Sequence, residues 1–130
     1  MADGLSDRLY ELRRAVERFT EKVVGLRPEE FVHNVKDVQN RAAAWGYKWS
    51  AAPGVYVFVN DDKIQYVGKA MALTGLASRA YNQSQPGEIQ WNNFLASPSA
   101  SIVLYALPID EDVWAPSFEC WLINHFAPPQ

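Results

Sequence analysis

Cysteine is almost missing from this chain of 130 residues, where Cys120 stands alone. An internal disulfide is excluded, and so is a zinc site built from cysteines. The expected setting is reducing and intracellular, that is, cytoplasmic. Histidine is equally scarce. His33 and His125 have no partner at ligand spacing, and both are read as structural or exposed. No apolar run is long enough to span a bilayer, and the N-terminus shows no basic stretch followed by an apolar segment. Neither a membrane partner nor export is expected. Internal repeats and low-complexity tracts are absent as well.

Positive charge is short in one half of the chain. Residues 51–130 hold three basic residues, Lys63, Lys69 and Arg79, against seven acidic ones. Residues 1–50 hold nine basic and eight acidic residues. Neutralisation of phosphates by Lys and Arg supplies most non-specific affinity for nucleic acid. Residues 51–130 therefore carry little general electrostatic footprint. Cations this sparse mark a site better than they mark a solvated face.

What is present is apolar. Hydrophobic residues make up 48% of the chain and include five tryptophans, enough for one packed domain with an added helical piece. Leu5, Leu9, Leu12, Val16, Phe19, Val23 and Leu26 recur at steps of four and three, a narrow helical seam. Pro28 suits a first helical position, and Phe31, Val35, Val38, Ala42 and Trp45 repeat the spacing up to Gly46. The expectation over 1–50 is a helical hairpin that supports the fold or mediates contact with a second copy or a protein partner. Over 51–130 the pattern changes. Two short β-type runs, 54–60 and 63–69, precede a helix around 75–83 with Thr74 as its cap. A short helix around 88–96, a strand over 101–107 and a last helix from Ala115 to Phe126 complete the order. The predicted class is α/β (α+β), with a small three-stranded, largely antiparallel sheet flanked by helices and preceded by the hairpin. Trp91, Trp114, Trp121 and Cys120 are read as packing residues.

Side chains alternate faces along a strand, so the loop between the first two strands decides which residues share a face. A two-residue Asp61-Asp62 turn would put Tyr56 and Tyr66 on opposite faces. A three-residue loop, Asn60-Asp61-Asp62, would pair position 56 with position 66. Two-residue hairpin turns favour glycine, which is missing here, so the longer loop is expected.

Five residues then stand out for their chemistry. Tyr56 and Tyr66 each sit beside a glycine motif on a strand, and Lys69 follows directly on the second. Arg79 lies in a helical segment, where a planar fork matches a phosphate. Glu119 shares an apolar helical face with Ala115, Leu122 and Phe126, an expensive place for an acid unless it is paired or holds a metal. The alternative to a metal is a buried pair with an arginine such as Arg79.

The ordered set resembles the GIY-YIG endonuclease domain. Gly54-Val55-Tyr56 stands where the first motif would be and Tyr66-Val67-Gly68 where the second would be. Lys69 follows as in the excision-repair branch of the family. Gly75-Leu76-Ala77-Ser78-Arg79 resembles the helix with the family's arginine. Glu119, with Leu122-Ile123 and Phe126-Ala127-Pro128, resembles the helix with its metal-binding glutamate. The likeness covers about 53–130, so the division expected is 1–50 as extension and 51–130 as nuclease-like domain. Many members carry His or Tyr one turn after the arginine, where this chain has Gln83. The resemblance implies hydrolysis of nucleic-acid phosphodiester bonds, DNA before RNA, with Mg2+ or Mn2+ on Glu119. It implies Arg79 at the developing charge, and water positioned or deprotonated by Tyr56 with Tyr66 and Lys69. The other reading is a related module that binds nucleic acid or assembles with protein and does little chemistry.

Overall fold

The computed structural model of the chain describes residues 4–23, 25–39, 46–84, 94 and 96–128. The elements in chain order begin with helix α1 (Gly4–Lys22), strand β1 (Glu29–Asn34) and the single helical turn α2 (Val35–Val38). Strands β2 (Gly54–Val59) and β3 (Ile64–Ala70) follow, then helix α3 (Leu76–Gln83) and strand β4 (Ser101–Ala106). A 3-10 helix (Ile109–Trp114) leads into helix α4 (Ala115–Phe126). No helix among the described residues is long and apolar enough to cross a membrane.

The class is mixed α and β as expected, and among the described residues the sheet has four strands where three were expected. They run antiparallel in the order β1-β4-β2-β3. The additional strand is Glu29–Asn34, which the sequence reading placed at the start of a second helix. Helical spacing is deceptive over this stretch. Phe31, Val35 and Val38 fall at helical spacing, yet Phe31 lies in a strand and the two valines in one turn capped by Asn34, whose Oδ1 accepts from the Lys36 amide at 2.9 Å. All three pack on one side of the sheet. Short apolar patterns do not distinguish the two periods, and pairing with β4 decides. Among the described residues of 1–50, helix α1, edge strand β1 and the single turn α2 therefore stand where a hairpin was expected. Residues 40–45 and the helix expected near 88–96, apart from 94 and 96, lie outside the described residues.

Helices cover both sides of the sheet. On one side α1 and α4 pack over Val55, Val57, Val67, Val103 and Tyr105. The expected seam of α1 does form, and it packs within the chain. Phe19 stacks on Phe118 with ring centroids 4.9 Å apart, and the Trp121 indole donates to the Ala15 carbonyl at 2.9 Å. Trp121 is thus a packing residue, as expected. Trp114 and Cys120 are not: both are exposed. Across the sheet from these helices, α2, α3 and the segment 47–52 cover Tyr56, Phe58, Ile102 and Leu104. Strand β2 is buried along its whole length.

Glu30 shows how an acid is held inside this edge. It accepts from Arg13 of α1 at 2.8 and 3.0 Å and from the Tyr105 hydroxyl of β4 at 2.9 Å. Burial, with the neighbouring carboxylate, pushes the Tyr105 phenol far above its ordinary range. The contact ties α1, β1 and β4 together.

Candidate functional site

The β2–β3 hairpin sets the site. Asn60 and Lys63 close a turn over Asp61-Asp62, with the Asn60 amide bonding the Lys63 carbonyl at 3.0 Å. The Asn60 side chain accepts from the amides of Asp62 and Lys63, both at 2.8 Å, and holds the turn without glycine. This is the two-residue turn that would separate the tyrosines. A bulge corrects it. Val59 pairs with Ile64 but Phe58 pairs with Tyr66, so Gln65 is extra and the alternation flips. Tyr56 and Tyr66 do share a face, through a register of 56 with 68 rather than 56 with 66. Their ring centroids lie 6.1 Å apart.

Tyr56 is fully buried. It lies directly across from Gly68, where a Cβ would overlap the phenol ring carbons and hydroxyl. The second glycine motif is thus a packing requirement: it makes room for the ring of the first. Arg79 reaches the same place from α3 and acts electrostatically on the Tyr56 phenol. Two atoms there are conspicuous. The Tyr56 hydroxyl and the Arg79 Nε are both buried and neither makes a well-formed hydrogen bond among the described residues, although Arg79 and Tyr66 both lie within interaction range of the phenol. A buried polar atom left unpaired is uncommon and calls for a missing partner. Burial pushes the Tyr56 phenol well above its ordinary value, reinforced by Tyr66 and only partly offset by Arg79. Burial thus favours the neutral phenol at this position.

Helix α3 begins at Gly75, whose φ of 80° suits glycine, with no side-chain cap. Thr74 does not cap it. Carbonyls of an earlier segment do, since the Leu76 amide bonds Ala52 and the Ala77 amide bonds Ser50, both at 2.9 Å. The segment before β2 thereby fixes the helix that carries Arg79. No pattern in the sequence announces this contact.

Lys69 and Glu119 belong to the other side of the sheet. Lys69 alternates with Gly68, and Glu119 comes from α4; Lys69 Nζ lies 3.6 Å from Glu119 Oε1. Glu119 is therefore paired with a lysine and not with Arg79. The two halves meet at the end of β3, where Lys69 and Arg79 line one cavity of about 220 Å3 together with Ala70, Met71 and Thr74. Tyr56, Tyr66 and Arg79 form one cluster, Lys69 and Glu119 another, and the cavity joins them. Glu119 adjoins it through Lys69 rather than lining it. The neighbouring loop is fixed by Asp112, which accepts from the Ala72 amide at 3.3 Å. Asp112 and the adjacent Glu111, whose Oε2 is buried with no hydrogen-bond partner among the described residues, were not foreseen. Their only signal was a short acidic run before α4. His33 accepts from the Trp49 indole at 3.0 Å and is structural, as expected, while His125 is exposed.

The described residues contain no group of three or more His, Cys, Asp or Glu side chains that could hold a metal. That donor set does not suit zinc. A hard cation that keeps most of its waters needs few protein oxygens, and the carboxylate that the resemblance points to, Glu119, lies 3.6 Å from Lys69 Nζ. No family model, curated protein or solved structure matches the chain.

Proposed function

We propose that the chain hydrolyses nucleic-acid phosphodiester bonds, DNA before RNA, in the manner of the GIY-YIG endonucleases it resembles. The observation that carries this reading is the Arg79 side chain, which lines a cavity with Lys69 while its buried Nε, like the buried Tyr56 hydroxyl behind it, has no close partner among the described residues. A phosphate in that cavity would meet the Arg79 guanidinium and the Lys69 ammonium. In this reading Arg79 stabilises charge developing on the phosphate. Tyr56 donates a hydrogen bond to the phosphate or to the attacking water, and Tyr66 orients that hydroxyl. Lys69 adds charge at the cavity mouth and releases Glu119 when the site fills. A divalent ion held by Glu119 would supply acidified water and charge neutralisation.

The second reading, a module that binds nucleic acid with little chemistry, is favoured by the burial of Tyr56, which raises its phenol and works against its use as a base. Incubation with plasmid, single-stranded and branched DNA and with RNA, with Mg2+ or Mn2+, separates the two. The expected result is cleavage that stops with chelator and falls by orders of magnitude in Glu119→Gln while the fold persists. Full activity of that variant removes the metal role. Binding without cleavage under every condition selects the second reading.

A further inference from the structure

Four strand ends form one row across the sheet. Ala70 of β3 pairs with Gly54 of β2, Gly54 with Ala106 of β4, and Ala106 with Glu29 of β1. The cavity of Lys69 and Arg79 lies at the β3 end of this row. A second cavity, of about 230 Å3, lies at the β1 end and is lined by Arg27, Glu29, Phe31, Lys48, Trp49 and Ala106 among others. The two have the same charge plan. Each is lined by one arginine and one lysine, and in each case the lysine is paired with a glutamate. Lys69 meets Glu119 at 3.6 Å, and Lys48 meets Glu29 at 3.0 Å. Each set of three side chains carries a net positive charge.

One segment fixes both cavities. The Tyr47 and Trp49 rings stack with centroids 5.2 Å apart, and Trp49, fully buried, donates its indole N–H to His33. The backbone of Lys48 is thereby held between two anchored aromatics. Three and four residues beyond Tyr47 and Lys48, the carbonyls of Ser50 and Ala52 cap the helix that carries Arg79. The spacing between the two sets of cations is built into the packing.

We infer that the β1-end cavity is a second phosphate subsite, and that one nucleic-acid strand crosses the strand ends from the Lys69–Arg79 cavity to the Arg27–Lys48 cavity. This rests on the nucleic-acid reading above and adds the path of the substrate. Three inter-strand gaps of about 4.8 Å put the ends of the row about 14 Å apart. That is a span of several nucleotides at one phosphate per roughly 3.4 Å of strand axis. The Lys48–Glu29 pair is exposed and opens easily to a phosphate. The path also explains how a region with three cations could hold a polyanion: it borrows Arg27 and Lys48 from the preceding residues.

The test is fluorescence anisotropy on the full chain with a chelator present, so that nothing is cut, over a salt series. The probes are a labelled dinucleotide and a labelled single strand of about eight nucleotides, long enough to span the row. Arg27→Gln and Lys48→Gln are expected to weaken the longer strand, each lowering the slope of log K against log salt by about 0.7. Both should leave the dinucleotide unchanged, and Lys48→Arg should keep the slope. An unchanged slope for the longer strand, an equal loss on both probes, or no binding of the longer strand by the native chain overturns the subsite. Failure of the nuclease reading looks different: the slopes behave as expected, but no cleavage follows when Mg2+ or Mn2+ is restored.

Discussion

Replacing Tyr56 with phenylalanine removes one buried hydroxyl and leaves the ring in place. Ordinarily such a change loses a hydrogen bond and destabilises. Here the hydroxyl makes no well-formed hydrogen bond among the described residues, so little offsets its desolvation. An unsatisfied buried polar group costs about 1–3 kcal/mol. The low end applies, because Arg79 and Tyr66 lie close enough to interact with the phenol and because the Arg79 Nε stays unpaired after the change. The ring itself keeps its edge-on contact with Phe58 at 6.0 Å and opens no cavity. Tyr56→Phe should therefore raise stability by about 1 kcal/mol, or a few degrees in melting temperature for a domain of this size. Urea unfolding followed by fluorescence checks it: the midpoint should rise with an unchanged denaturant slope. Cleavage and the binding of short phosphodiesters should fall in the same variant. A protein that gains stability while losing function marks a group kept for its ligand. A loss of about 1 kcal/mol or more would refute the reasoning, since it would mean the hydroxyl is already satisfied.

Further expectations come from the same region and its supports. Gly68→Ala puts a Cβ into the Tyr56 ring, which Phe58 and Tyr66 keep from swinging aside, so urea unfolding should show a loss of roughly 1–3 kcal/mol. Tyr56→Leu should recover part of that loss in the double variant. The His33 imidazole is pushed below its ordinary value by burial, against a smaller opposing effect of Asp37. The stability it contributes is complete above the unfolded value of about 6.5 and is lost as pH falls toward the lower folded value. Thermal melts from neutral to mildly acid pH should show that loss, and His33→Gln, which cannot titrate, should flatten it.

Much of the fold could be read from residues with unambiguous patterns. Helix α4 starts and ends as expected because Pro116 suits its first turn and Ala127, followed by Pro128, caps its end. Strands β2, β3 and β4 are dense in β-branched and aromatic residues. Strand β1 escaped because a strand of six residues with Phe31 and Val32 at its centre offers no signal that outweighs helical spacing. The site was legible in part. Tyr56, Tyr66 and Arg79 do converge, and their shared face was foreseen, but a bulge at Gln65 achieves it rather than a longer loop. Bulges have no sequence signature of their own, since they answer to the pairing of both strands. The carbonyls that cap α3 are invisible for a similar reason: every residue has one, and only the chain path decides which are used. The Lys69–Glu119 pair could not be chosen over Arg79–Glu119 without knowing that the sheet lies between the two halves of the set.

That division has a consequence for how the protein can fail. Arg79 and the tyrosines belong to the layer formed by α3, while Glu119 and Lys69 belong to the layer formed by α4. No fragment containing one layer carries both halves. In a swollen, loosely packed form of the chain, helices and strands would persist while the layers drift by ångströms. Far-ultraviolet circular dichroism would then look native although any chemistry requiring both halves had gone. For this protein, function would report on the closeness of packing across the sheet well before secondary structure did.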